Sequence, residues 1–224
     1  LEICIEGQNR GIVLTPLLKP SEVLDEPHLR DRGTFKKTKV SKEEIAHIAS
    51  GFFEIDGTRH GFSHRAPELN EHNGFTFTKN RISGNGTEGP AKHPLSGVRV
   101  LDFGIGGVGV ETSRLLGEYG ADVIKVETRT YPDFIRLVAL SETSPSFASS
   151  SRSKRSFGCN VKTEEGLEIV RKLIAESDVL VENSATGVME ALGLGFDDLK
   201  KINPSIVMIS SQLVGSRGPN SHWT

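Results

Sequence analysis

Val98-Arg99-Val100-Leu101-Asp102-Phe103, followed by Gly104-Ile105-Gly106-Gly107-Val108-Gly109, is the stretch that decides how this chain is read. Apolar side chains at 98, 100, 101 and 103 predict a buried strand, and the glycines behind it predict a tight turn into a helix. That helix is expected over Glu111–Tyr119, with Leu115 and Leu116 on one face and Gly120 as its C-terminal stop. Asp122-Val123-Ile124-Lys125-Val126-Glu127 reads as a second strand. After an irregular stretch, Thr163 is placed to cap a helix over 164–176, where Leu167, Val170, Leu173 and Ile174 recur at helical spacing. Asp178–Glu182 and Ser205–Ser211 read as further strands, with a short helix over Phe196–Ile202 between them. Strands alternating with helices imply right-handed βαβ units and a parallel sheet, which binds ligands at the carboxyl ends of its strands.

Composition narrows the function. Among 224 residues, 27 Lys+Arg stand against 29 Asp+Glu, a net charge of -2, so the basic surface a nucleic-acid partner demands is missing. The apolar runs fall far short of the roughly 18–20 residues of a membrane span. Two cysteines, Cys4 and Cys159, make no disulfide framework and point to a reducing, cytoplasmic location. The seven histidines show no metal-ligand spacing.

Ahead of Pro94 the texture differs. Residues 1–75 mix short apolar runs with many prolines and glycines and read as irregular structure with short strands and one or two short helices. Phe52-Phe53-Glu54-Ile55 before Asp56-Gly57 reads as a strand entering a tight turn. The run Lys36-Lys37-Thr38-Lys39 reads as a solvated face. Residues 76–93 carry Ser83-Gly84-Asn85-Gly86 and Gly89-Pro90 with little apolar content, and read as a linker.

Gly104–Gly109 fits G-x-G-x-x-G after a strand and before a helix, and Glu127 ends the next strand about 20 residues on, as in the dinucleotide fingerprint. Two readings stay open on spacing alone. One is a nucleotide-type ligand, NAD first. The other is a sheet turn whose glycines only permit close helix–strand packing. Glu127 is correspondingly a ribose acceptor or a solvent-facing strand end, and Asp102 a residue that fixes the turn.

Longer stretches resemble one family. Pro94–Phe103, Leu115-Leu116-Gly117-Glu118-Tyr119-Gly120-Ala121-Asp122-Val123-Ile124-Lys125-Val126-Glu127, Lys154-Arg155-Ser156 with Asn160-Val161-Lys162-Thr163-Glu164-Glu165-Gly166, Ser177–Asn183, Leu192-Gly193 and Ile202-Asn203-Pro204-Ser205-Ile206-Val207 resemble, in order and spacing, the opening of class III CoA-transferases (the CaiB/BaiF family). Asn9–Pro16 and Glu22–Phe35 resemble the segment that closes such a chain. The resemblance therefore implies the tail of one family unit (1–75), a linker (76–93), and the head of a second unit (94–224). Leu1 and Thr224 are then expected to be cut edges of a longer tandem polypeptide.

The resemblance further implies an α/β fold with a Rossmann-like parallel sheet, incomplete here, and family members that pair as interlocked dimers. A homodimer or an intramolecular pseudo-dimer is the expected assembly. The implied reaction moves CoA between an acyl-CoA and a small carboxylic acid through an aspartyl-CoA intermediate, with CoA as substrate and no tightly bound cofactor; acyl-CoA racemase or epimerase chemistry on the same fold, and a non-catalytic binding half, are the alternatives beside the NAD reading. Gly106 and Gly107 match the loop near CoA. Thr128 and Arg129 match a basic pair at the adenine and phosphates, and Cys159, Lys162, Asn183 and Ser184 match further CoA-contacting positions. The catalytic aspartate is expected beyond Thr224, and His222 does not fit the spacing of the family's racemase members. Departures include Thr128 where arginine is common, Gly-Gly-Val-Gly-Val-Glu for an Ala-Gly-Pro stretch, and Ala191 where many members carry arginine. Apart from its match to the family, Cys159 reads as a buried small hydrophobe in a strand, and Ser151–Arg155 as a phosphate contact or an ordinary loop.

Overall fold

The computed structural model describes residues 1–41, 43–51, 53–60, 65, 67, 71, 93–138 and 144–223. The expected linker at 76–93 lies, but for His93, outside the described residues. The chain divides into two compact units, Leu1–Thr87 with Ser216–Thr224, and Glu88–Gly215.

The first unit holds α1 (Glu2–Asn9), α2 (Pro20–Val23), α3 (Pro27–Asp31) and two antiparallel hairpins, β1 (Phe35–Lys39) with β2 (Ile45–Ala49), and β3 (Phe53–Ile55) with β4 (Thr58–His60). Glu26 accepts the Leu29 N–H at 2.7 Å and caps α3, with Pro27 at its first position. Asp56 and Gly57, at φ 47° and 75°, form the two-residue turn expected behind Ile55, since a type I′ hairpin requires positive φ at both positions. Residues 216–223 fold with this unit rather than with the sheet that precedes them. His28 is 3% exposed and its Nδ1 accepts the Asn220 N–H at 3.2 Å, while Arg217 pairs with Glu54.

The second unit runs β5 (Arg99–Asp102), α4 (Val108–Glu118), β6 (Asp122–Glu127), α5 (Phe134–Val138), α6 (Pro145–Ser151), β7 (Lys154–Gly158), α7 (Glu164–Ala175), β8 (Val179–Glu182), α8 (Val188–Ala191), α9 (Phe196–Ile202) and β9 (Val207–Ser210). Its strands form a parallel sheet in the order β7-β6-β5-β8-β9. The fold is thus α/β with a Rossmann-like sheet, as expected. One face of the sheet packs Leu101, Val126 and Leu180 against Val170 and Ile174 of α7 and Leu199 of α9. Val100, Val123 and Val181 turn to the other face, where Leu116 of α4 covers them. Each fully buried aliphatic side chain contributes about 1.5–3 kcal/mol.

Most element predictions match to within a residue or two, including Thr163, whose Oγ1 accepts the Gly166 N–H at 3.1 Å. Three differ. α4 starts at Val108, and its buried face is Gly109, Val110 and Ser113; Leu115 is 47% exposed, so only Leu116 of the expected pair turns inward. Of the stretch Ser151–Arg155, Ser151 ends α6 and Lys154 and Arg155 open the edge strand β7, so only 152–153 are loop. Cys159 follows that strand instead of lying in it.

Candidate functional site

Chain order places the site. β5 leads to β6 and then β7 on one side, and β8 returns to the other side of β5. The crevice of such a sheet opens at this reversal, between the loops that follow β5 and β8. The first loop is the glycine turn and the second begins at Asn183.

The backbone of the turn is held by side chains. Asp102 Oδ1 accepts the Gly104 N–H at 2.8 Å. Asn183 Oδ1 accepts the Ile105 N–H at 2.7 Å, and Asn183 Nδ2 donates to the Ile105 carbonyl at 2.8 Å. Asp133 Oδ1 accepts the Gly106 N–H at 3.0 Å, and Lys125 Nζ donates to the Gly104 carbonyl at 2.7 Å. The glycines also serve packing. A Cβ on Gly104 would lie 2.7 Å from the backbone of Gly109, and one on Gly109 would lie 2.7 Å from Asn183 Oδ1. Gly106 has φ 74°, a region L-residues avoid. The outer glycines bring strand and helix together, as the packing reading expects, and the middle pair lines a cleft.

Two buried ion pairs lie beneath the turn on the α4 face of the sheet. Lys154 Nζ donates to Asp102 Oδ2 (2.8 Å), the Val110 carbonyl (2.8 Å) and Ser113 Oγ (2.9 Å), so its three protons are all used. Burial pushes the Lys154 ammonium below the usual lysine range, and Asp102 opposes that shift. Lys154 is therefore structural, which removes it from the expected phosphate contacts, while Asp102 fixes the turn as expected. Lys125 Nζ lies 3.0 Å from Asp133 Oδ2, and both side chains are nearly inaccessible.

Glu127 is neither free for a ribose nor turned to solvent. Arg136 Nε reaches both of its oxygens at 3.0 Å, and its Oε2 accepts the Asp133 N–H at 2.9 Å. Arg136 in turn lies 3.5 Å over the Phe147 ring. This pins the segment that carries Thr128 and Arg129. Thr128 Oγ1 meets Thr130 Oγ1 at 3.1 Å, and Arg129 is exposed, with no hydrogen bond or ion pair among the described residues. Lys162 is exposed, its Nζ 5.4 Å over the Tyr131 ring. Ser184 donates its N–H to the buried Glu182, which also receives Gln212.

Gly106, Gly107, Thr128, Arg129, Lys162, Asn183 and Ser184 thus fall on loops behind β5, β6, β7 and β8, at one edge of the sheet. Cys159 belongs to that edge in sequence, but its thiol is in the core beneath it. The side chain donates to the Gly166 carbonyl at 3.3 Å, and burial pushes the thiol pKa up. Gly106 and Gly107 border an open cleft of about 490 Å³ with Glu111, Ile135 and serines of α6. Asp133, Arg136 and the serine-rich α6 were not identified from sequence. Tyr-Pro-Asp and a serine run carry no periodic signal, and only the fold brings them to the turn.

Fold and edge together define a Rossmann-like α/β lobe with a cleft at the carboxyl edge of its sheet. The pattern of CoA-transferase family III is matched by residues 95–224, and the chain belongs to that family. It is 33% identical over 227 residues to the "Probable CoA-transferase Rv1866" of Mycobacterium tuberculosis, covering 97% of this chain and 28% of that protein. It is 42% identical over 130 residues to the succinyl-CoA–L-malate CoA-transferase beta subunit of Chloroflexus aurantiacus, covering 56% of this chain and 32% of that one. A crystal structure of a CAIB/BAIF family protein from Brucella suis superposes with a TM-score of 0.53 at 34% identity, covering 58% of this chain and 36% of that one. The chain spans about a third or less of the length of these relatives. Among the described residues, no helix is long and apolar enough to cross a membrane.

Proposed function

We propose that the chain is the CoA-holding part of a class III CoA-transferase that moves CoA between an acyl-CoA and a small carboxylic acid. The convergence of Gly106, Gly107, Thr128, Arg129, Lys162, Asn183 and Ser184 on one edge of the sheet carries this reading. Arg129 and Lys162 are the exposed cations for the phosphates of CoA, and Gly106 and Gly107 admit its reactive end to the cleft. Cys159 supports the edge from the core. CoA is a substrate here, and no tightly bound cofactor enters the reaction.

An aspartate in the remainder of the full-length protein attacks the acyl-CoA carbonyl, and CoA thiolate leaves to give a mixed anhydride. The thiolate then attacks the aspartyl carbonyl, releasing the first acid and forming aspartyl-CoA. The second acid enters by the reverse steps and departs as its CoA thioester. This chain contributes binding and orientation to that reaction. The occupied Glu127 carboxylate argues against the NAD reading, because both oxygens are committed to Arg136 and the Asp133 N–H.

The first unit is read as the tail of a preceding family unit. Its support is the match to Rv1866, which runs through both units. That relative is about twice as long as the Chloroflexus subunit, since 227 residues are 28% of one and 130 residues are 32% of the other. Two units in one chain make an intramolecular pseudo-dimer, with a homodimer as the alternative assembly, in the cytoplasm. The test is to incubate the full-length protein with succinyl-CoA and a panel of small carboxylic acids. A new thioester, detected by mass spectrometry, is expected for at least one acid. Hydrolysis alone, or no turnover with any acid or acyl-CoA donor, contradicts the reading.

A further inference from the structure

The three successive N–H groups of Gly104, Ile105 and Gly106 are all spent on side chains of this chain: Asp102, Asn183 and Asp133. An arriving phosphate therefore finds none of them free, unlike the backbone cradle of a typical glycine-rich loop. The shape of the turn is imposed from below. One of these holders, Asp133, is 1% exposed and forms an ion pair with Lys125, itself 4% exposed: Nζ stands 3.0 Å from Oδ2, which accepts no hydrogen bond. Each member also grips the turn, Lys125 at the Gly104 carbonyl and Asp133 at the Gly106 N–H. Asp133 Oδ1 additionally accepts the Ile135 N–H at 3.1 Å, and its own N–H is held by Glu127. Burying two charges costs free energy that a hydrophobic pair would not, and here both members also hold the backbone of the turn.

We infer that Asp133, locked by Lys125, is a positioning residue that sets the Gly106–Gly107 rim of the cleft before CoA arrives. The inference rests on reading that rim as a CoA-facing surface. The pair joins the Thr128–Arg136 segment to the glycine turn, so the loop that carries Arg129 and the rim at Gly107 keep one spacing. Pre-setting the turn spares the ligand the ordering cost of a mobile glycine loop.

The test uses the full-length protein and three variants, Asp133→Ala, Asp133→Asn and, as a control far from the turn, Leu199→Ala. Hydrogen–deuterium exchange of peptides covering 103–109 reads the clamp without any ligand, and calorimetric titration with CoA reads its consequence. Asp133→Ala is expected to speed exchange at 104–106 and to weaken CoA binding at least about tenfold, the loss of charged hydrogen bonds. Asp133→Asn keeps an acceptor for the Gly106 N–H and is expected to recover part of both. Leu199→Ala is expected to lower the melting temperature with CoA affinity unchanged. Unchanged exchange at 104–106 in Asp133→Ala overturns the inference whether or not CoA binds. Equal CoA weakening by Leu199→Ala, or undiminished CoA binding by Asp133→Ala, overturns it as well. A wild-type protein that does not bind CoA, with the exchange change intact, overturns the CoA reading and leaves the clamp standing.

Discussion

Asn183 meets Ile105 twice, accepting its N–H at 2.7 Å and donating to its carbonyl at 2.8 Å. A carboxamide reproduces the edge of a β-ladder with one backbone residue, and so ties the loop behind β8 to the loop behind β5 at the crevice. Asn183→Leu leaves both backbone groups of Ile105 without these partners. It is expected to cost about 1–3 kcal/mol of stability, read by chemical denaturation. Asn183→Asp keeps the acceptor but not the donor and is expected to fall between the two.

The glycines of the turn are expected to differ in a fixed order when changed to alanine. Gly104 is the most sensitive, because its Cβ would meet backbone atoms at 2.7 Å that no rotamer change relieves. At Gly106 the Cβ would meet the Phe134 ring, which is half exposed and free to swing away. The lasting cost there is the positive φ, about 1–2 kcal/mol. Gly107 has nothing within 4 Å of its Cβ and tolerates alanine. Melting temperatures of the three variants check the order Gly104, Gly106, Gly107.

The parallel sheet was legible because β5, β6 and β8 are short apolar runs between turn residues, and α7 keeps helical spacing with a threonine cap. β7 was not, because Lys154-Arg155-Ser156-Phe157-Gly158 looks polar. Its inward position is a lysine, acceptable only because Asp102, Val110 and Ser113 converge on it. The residues proposed for the CoA-facing edge came from family resemblance, and not from spacing or periodicity. Asp133 was not, since nothing in Tyr-Pro-Asp-Phe reveals that its carboxylate will meet Gly106 across 27 residues of chain. Glu127 misled for the same reason: its partner Arg136 is supplied by the fold.

Cys159 is expected to behave as core. In the folded protein its thiol resists iodoacetamide while the less buried Cys4 reacts. Its pKa is raised by burial, so the folded state holds this proton longer than the unfolded state does. The stabilising contribution is complete below the unfolded thiol pKa, about 8.5, and is lost as pH rises through the folded value. Between pH 8 and 10 the melting temperature of Cys159→Ala is therefore expected to fall less steeply than that of the wild type.

Arg129 and Lys162 are expected to read the phosphates of CoA. Their alanine double variant loses affinity for CoA, with a smaller loss for 3′-dephospho-CoA, and its binding depends less on salt. Since Arg129 makes no hydrogen bond or ion pair among the described residues, and Lys162 only a 5.4 Å ring contact with Tyr131, the melting temperature stays within about a degree or two of the wild type, as for other surface changes. Equal losses for both ligands would assign the two cations to some other part of the molecule.

Calorimetric titration of the full-length protein with CoA and, separately, with NAD tests the reading of this edge most directly. Saturable binding of CoA, unaffected by excess NAD, is the expected result. Binding of NAD with no heat from CoA would contradict it.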